Sequence, residues 1–313
     1  IFEGMFNSGD TPQLDFVYGW LKLARESVAS GNPTPGQCLV LAGPKNCGKS
    51  LFQDIVTELL GGRTGRPFSY MSGKTDFNSE LFGAEHLVIA DENSNRDMNS
   101  RRLFGSRIKD YTVNTSMHCH GKFREALTLT PCQRLTISLN DEDDNLLILP
   151  PIDESLSDKI ILLKIYIPEF PLDSSGVVNR QSLWETIKDE LPGLIHHIEQ
   201  FKIPAKLRDS RFGLTGFQHP ILMESLEELN PEGKLLALID HHLLDQEKTW
   251  EGTTTELESE LLDYYSDCRR RAEKIIKSTP ETRTYLMHLK KKHPNRISTR
   301  ESNGKSLWVI RQP

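Results

Sequence analysis

The chain has 313 residues, 37% hydrophobic and 26% charged, with a formal net charge of −6. That balance excludes a disordered chain, and no apolar run approaches the ~18 residues of a membrane helix. Five scattered cysteines (Cys38, Cys47, Cys119, Cys132, Cys268) without a CxxC pair exclude a disulfide framework and a zinc ribbon, and point to a reducing cytoplasm. In chain order, Leu14 to Ala29 carries apolar residues at helical spacing (Leu14, Val17, Leu21, Ala24, Val28) and runs into a loop rich in Gly and Pro. Cys38 to Ala42 reads as a short buried strand, followed by a glycine-bounded loop and a helix from Ser50 to Leu60. Leu87 to Ala90 is a second buried strand, Leu135 to Leu139 a third and Ile160 to Ile167 a fourth. Strands alternating with helical stretches predict a mostly parallel sheet covered on both faces.

Between the second and third strands, Tyr111 to Met117 and Phe123 to Leu129 read as two arms of a β-hairpin around His118-Cys119-His120-Gly121-Lys122. Leu183 to Phe201 is helical with an interruption near Pro192, and Arg208 to Pro220 reads as a linker. Helices follow at Lys234 to Leu244, Thr254 to Leu262 and Pro280 to Lys292. Two short strands, Arg296 to Thr299 and Ser306 to Ile310, close the chain around an Asn-Gly turn, and this order is that of a winged helix. The net charge conceals an asymmetry: from Arg269 to Arg311 basic residues outnumber acidic ones several-fold.

Gly43-Pro44-Lys45-Asn46-Cys47-Gly48-Lys49-Ser50 fits GxxxxGK[ST] without a mismatch. Glycines let the loop turn its N–H groups toward phosphate oxygens, and the helix that continues through Leu51 points its N-terminus at the same anion. The motif assigns Lys49 to the β/γ-phosphates of ATP and the Ser50 hydroxyl to Mg²⁺. Leu87 to Ala90 ends in Asp91 and Glu92; two acids at the end of a buried strand are costly unless they meet a cation or water. Asp91 is therefore expected to hold Mg²⁺ and Glu92 to orient or deprotonate the attacking water. Asn140, closing the third strand, is placed to touch the γ-phosphate or that water.

With these three motifs in order, the chain resembles the superfamily 3 helicases, hexameric AAA+ motors of phages, plasmids and DNA viruses, and within them the helicase portion of phage and prophage primase-helicases. The resemblance runs from about Leu14 to the C-terminus. It implies an α/β fold, a P-loop AAA+ core with a parallel sheet flanked by helices, and a C-terminal winged-helix domain. It implies Mg-dependent ATP hydrolysis between subunits of a ring and translocation on single-stranded or forked DNA. The hairpin is the family's DNA-translocating element, and Lys122 matches its basic residue, with His118 and His120 beside it. An arginine finger is expected after the third motif, but the matching position is Lys159; Arg134, Arg124 and Arg107 stand as other choices. Lys lacks the planar fork of Arg, which puts the turnover rate in question.

The expected division is a helical segment (1–36), the ATPase core (37–170), a helical extension and linker (171–230) and the winged helix (231–313). The winged helix presents Lys290, Lys291, Lys292, Arg296, Arg300 and Lys305 as an electrostatic footprint for DNA; a protein-docking role is the alternative. Because the first residue is Ile1, a primase or polymerase domain is expected upstream. The location expected is the cytoplasm, that of a bacterial host if the chain is encoded by a phage or prophage. Two rival functions use the same motifs: a replication loader or switch that spends ATP on assembly, and a DNA-binding regulator whose oligomerisation ATP controls. His118 and His120 share a strand face with Cys119 opposite and no second ligand pair nearby, so the expectation there is a polar hairpin tip without a metal.

Overall fold

The computed structural model describes residues 1–312 apart from 8, 10, 31–33, 35, 91–97, 171–178, 245–247, 265, 267 and 303. Its contacts separate two compact units, Ile1–Met223 and Glu224–Pro313. The first opens with helices α1 (Phe2–Phe6) and α2 (Leu14–Ala29), strand β1 (Cys38–Ala42) and helix α3 (Lys49–Leu59). Strand β2 (Thr64–Gly65), helix α4 (Phe68–Met71), strand β3 (His86–Ala90) and helix α5 (Met98–Val113) follow. Next come β4 (Met117–Cys119), β5 (Leu127–Leu129), β6 (Arg134–Leu139), α6 (Asp143–Leu146), β7 (Ile160–Lys164), α7 (Arg180–Gln200) and β8 (Phe217–Gln218). Helix α8 (Pro220–Leu229) spans the division between the units.

Six strands form one sheet in the order β2-β3-β6-β1-β7-β8, and every described pairing in it is parallel. The apolar runs explain this arrangement. Strands β1 and β6 are buried along their whole length, and β3 and β7 at all but their last residue, as strands covered on both faces must be. Because β6 lies between β1 and β3, the loop after β1 and the residue after β6 emerge side by side at the same edge of the sheet. One apolar core joins Met5, Phe6, Val17 and Trp20 to Leu39, Leu41 and Phe52, and also to Ile198 and Leu214. The segments flanking the expected ATPase core thus share its interior.

Three local expectations are corrected. Helix α7 runs unbroken through Pro192, because Leu183, Ile187 and Ile198 anchor both halves in the core while the proline sits exposed. The expected linker at 208–220 is packed: Leu214 is fully buried, and Gln218 pairs with Leu162 to add β8 to the sheet. Its Gly216 serves close packing there, since a Cβ would lie 2.2 Å from the carbonyl oxygen of Ser157. The first hairpin arm starts at Met117; Tyr111, buried, belongs to α5. His118 accordingly lies within an arm, paired with Thr128, and the turn falls around Lys122 and Phe123.

The second unit contains α9 (Pro231–His242), β9 (Thr249–Gly252), α10 (Thr254–Leu261), α11 (Arg269–Ile275), α12 (Thr279–Lys292), β10 (Ile297–Ser302) and β11 (Lys305–Arg311). Its strands form an antiparallel sheet in the order β10-β11-β9, with Ser302 opposite Lys305 and Gly304 at φ +74° in the connecting turn. Trp250 and Trp308 are buried among Leu235, Ile239, Leu257, Leu286 and Ile297, so both serve the core. Thr253 and Glu256 close a reciprocal cap on α10. No described helix is long and apolar enough to cross a membrane.

Candidate active site

The loop between β1 and α3 is shaped by two glycines. A Cβ on Gly43 would lie 2.5 Å from the carbonyl oxygen of Ile165, and Gly48 sits at φ +89°, a left-handed conformation that L side chains rarely adopt. Asn46 also takes a positive φ of 61°, which Asn tolerates better than most residues. The chain then enters α3 at Lys49, so the free N–H groups of the first turn face the loop interior. Lys45, Asn46 and Ser50 are exposed, Pro44, Gly48 and Leu51 half-buried, and Cys47 and Lys49 buried.

Lys49 is the centre of the site. Its ammonium donates to the carbonyl oxygens of Gly43 at 2.8 Å and Pro44 at 2.7 Å and to Asn140 Oδ1 at 3.1 Å, and lies 3.7 Å from Cys47 Sγ. All of these partners are neutral. A buried cation satisfied only by dipoles favours an entering anion, because full charge–charge attraction in a poorly screened site adds to what neutral carbonyls supply. Burial raises the Cys47 thiol against the opposing pull of Lys49, which keeps that sulfur a neutral lining group. These features fit a triphosphate: glycine-permitted close approach, a helix N-terminus and an unneutralised lysine. Ser50, exposed in the first turn of α3, carries a hydroxyl oxygen that could hold magnesium. Asp91 and Glu92, expected to complete the site, lie outside the described residues.

The structure therefore brings Lys49 and Asn140 together and sets Lys159 apart. Lys159 precedes β7, and its carbonyl accepts from the N–H of Cys38, so it sits at the opposite edge of the sheet from the glycine loop. Its side chain is 10% exposed and pairs with Asp158 at 2.5 Å; Arg211 holds the other oxygen of that carboxylate at 2.9 Å. Arg134 is buried against Gly36 and donates to the carbonyls of Thr34 and Leu23; burial pulls its guanidinium down to about 10. Arg107 stacks on the ring of Tyr70, 4.2 Å from its centroid. Arg124 is exposed beside the hairpin turn.

The first arm of the hairpin is pinned toward its turn end by the buried Asn78, whose amide donates to the His118 carbonyl at 2.9 Å and accepts from the His120 N–H at 2.7 Å. At the turn Lys122 is exposed, and the adjacent Phe123 is 94% exposed at φ +60°. The Lys122 ammonium lies 5.3 Å from the Phe123 ring centroid. A bulky aromatic at positive φ and in full contact with water is an outlier twice over. Its signal in sequence was an apolar residue between two basic ones at a turn. Among the described residues no group of three His, Cys, Asp or Glu side chains could hold a metal ion.

In the second unit most of the basic residues already have partners. Lys290 donates to Thr299 at 2.7 Å, Lys292 pairs with Glu227 at 2.6 Å and Arg296 with Asp240 at 2.6 Å, and Arg300 pairs with Glu251. Lys291 also has an interaction, and Lys305 is exposed.

A family described as of unknown function, DUF5906, matches residues 41–153, the stretch from the glycine loop past Asn140. No curated protein matches the chain. Among solved structures, the apo NrS-1 C-terminal region superposes with a TM-score of 0.56 at 13% identity, over 100% of this chain and 74% of that one. A second form of the same region gives 0.53 at 12% identity with the same coverage. The chain thus shares the fold of that region. JCV helicase matches 59% of this chain and 47% of its own at 12% identity; its TM-score of 0.34 carries no argument.

Proposed function

We propose that the chain is a Mg-dependent ATPase driving a DNA helicase or translocase of the superfamily 3 type. The observation that carries this reading is the Lys49 ammonium, held among neutral oxygens in a glycine-shaped loop and reaching the Asn140 amide of the neighbouring strand. On this reading Lys49 binds the β/γ-phosphates, Asn140 contacts the terminal phosphate or the attacking water, and Asp91 and Glu92 contribute the carboxylates. Magnesium held by Ser50 and Asp91 would offset phosphate charge. Lys122 takes a backbone phosphate of single-stranded or forked DNA, and Phe123 offers a ring on which a base stacks. Subunits assemble as a ring, a hexamer in this reading, with a primase or polymerase partner acting on the same strand. Residues 231–313 form a winged helix whose Lys290, Lys291, Lys292, Arg296, Arg300 and Lys305 face DNA.

One observation favours a second reading, an ATP-dependent loader or switch without unwinding. Lys159 is buried and neutralised by Asp158, so it is poorly placed to complete a neighbouring subunit's site. The two readings part on a forked substrate. The helicase reading expects ATP-dependent strand displacement that vanishes in Lys49→Ala, together with a mass increase to a ring on adding a non-hydrolysable ATP analogue and single-stranded DNA. ATP hydrolysis and assembly without displacement would select the loader. Absence of ATP binding would overturn both.

A further inference from the structure

Beyond the loop, α3 carries a polar stripe into the core. Lys49, Gln53 and Thr57 recur at intervals of four residues and so share one face of the helix. Gln53 is 2% exposed, and its amide donates to Thr136 Oγ1 on β6 at 3.0 Å and to the Ile89 carbonyl on β3 at 3.2 Å. His86, at the start of β3 and fully buried, lies between Thr136 Oγ1 (2.8 Å from Nε2) and Thr57 Oγ1 (2.8 Å from Nδ1). The Thr57 hydroxyl donates to the Gln53 carbonyl at 3.0 Å. One proton assignment satisfies every bond. Gln53 donates to Thr136, Thr136 to His86 Nε2, His86 Nδ1–H to Thr57, and Thr57 back to Gln53. The ring closes only with a neutral imidazole, and burial with the nearby Arg66 charge holds His86 neutral, down to about 3.

This ring ties together the three elements that form the candidate site. Helix α3 begins at Lys49. Strand β3 is followed by Asp91, two residues after the carbonyl that Gln53 holds. Strand β6 is followed by Asn140, on the same strand face as Thr136. Apolar packing alone leaves a helix free to slide or rotate on a sheet by a fraction of an ångström, whereas directional bonds in a dry core fix its register. A misplacement of about 1 Å at a reacting centre costs on the order of a hundredfold in rate. We propose that Gln53, with Thr136 and His86, is a positioning set. It locks the phosphate-binding helix to the ends of β3 and β6, so that the groups on all three meet one triphosphate. The proposal rests on the ATPase reading and deepens it.

The test compares Gln53→Met, which keeps volume and removes both donors, with Thr136→Val and Thr136→Ser, which remove and keep the hydroxyl. Three quantities are measured at a temperature well below unfolding: ATP turnover at saturation, affinity for a fluorescent ATP analogue in EDTA, and the thermal midpoint. Expected is a fall in kcat of about tenfold or more in Gln53→Met and Thr136→Val, with affinity in EDTA within about twofold and near-normal turnover in Thr136→Ser. A lowered midpoint with unchanged kcat would reduce the ring to a stability element and overturn the proposal. Equal losses in the Ser and Val variants would overturn the role of the hydroxyl. Should Gln53→Met fail to fold, the Thr136 pair decides alone. Wild-type protein that binds the analogue and never hydrolyses ATP would overturn the ATPase reading itself, and the positioning role with it.

Discussion

Two cationic regions of this molecule solve the same problem in opposite ways. At the glycine loop Lys49 is buried, and its partners are two carbonyls, an amide oxygen and a thiol. On the second unit Lys292, Arg296 and Arg300 lie at or near the surface, each beside a carboxylate: Glu227, Asp240 and Glu251. A cation among dipoles has no charged partner to leave when an anion arrives, while a cation beside an acid must first part from it. Charge runs in sequence do not distinguish these cases, because the neutralising acids come from distant segments. The difference teaches that density of lysine and arginine is a poor guide to anion binding, and that the identity of each partner is the better one.

The comparison breaks first at Lys49. Lys49→Ala should abolish ATP turnover, a loss of at least about a hundredfold in kcat/KM, and weaken nucleotide binding; retained hydrolysis would end the assignment. Lys122→Ala and Phe123→Ala should spare basal turnover and eliminate strand displacement. Loss of the Phe123 ring alone should weaken single-strand binding by about 1–3 kcal/mol, read by fluorescence anisotropy. Acid sharpens the contrast between buried and exposed groups. His86 is depressed to about 3 in the fold against 6.5 for the free side chain, so the unfolded chain binds the extra proton between those values. Stability is therefore full above pH 6.5 and falls toward pH 3 by up to about 1.4 kcal/mol per pH unit. Urea unfolding of wild type and His86→Leu at pH 7 and pH 5 should show a shallower loss in the variant. The smallest effect belongs to the surface: Glu251→Gln frees Arg300, and DNA affinity at low salt should rise by a fewfold, with a steeper salt dependence. No change would exclude Arg300 from the interface.

Much of this architecture was legible in the sequence because burial on both faces leaves an unmistakable apolar run. Strands β1, β3, β6 and β7 appear within a few residues of their expected positions, as do α2, α3 and α12. The glycine loop was legible because its chemistry demands particular residues at fixed spacing. Strands β2 and β8, two residues each, carry no pattern at that length, and Gly216 reads as flexibility where it permits contact. Helix α5 escaped notice because its face is interrupted by polar residues, including Arg101, buried and donating to the Leu149 carbonyl. Gln53 and His86 were invisible for a related reason. A lone polar residue gives no sign that it is buried, and their partners are tens of residues away. The four-residue spacing of Lys49, Gln53 and Thr57 was the one trace available.

Strand β1 carries a consequence for how this chain is made. It sits at the middle of the sheet, yet it emerges from the ribosome before either neighbour: β6 and β7 are synthesised much later, and β8, which caps the edge, later still. Until Gln218 has been translated, the growing polypeptide exposes sticky, unzipped apolar ribbons, a hazard that slow non-local pairing prolongs and that chaperones counter. Truncations that stop just past Asn140 would keep the glycine loop and Asn140 and should still precipitate, so fragments made to test nucleotide binding should be cut no shorter than the end of the first unit.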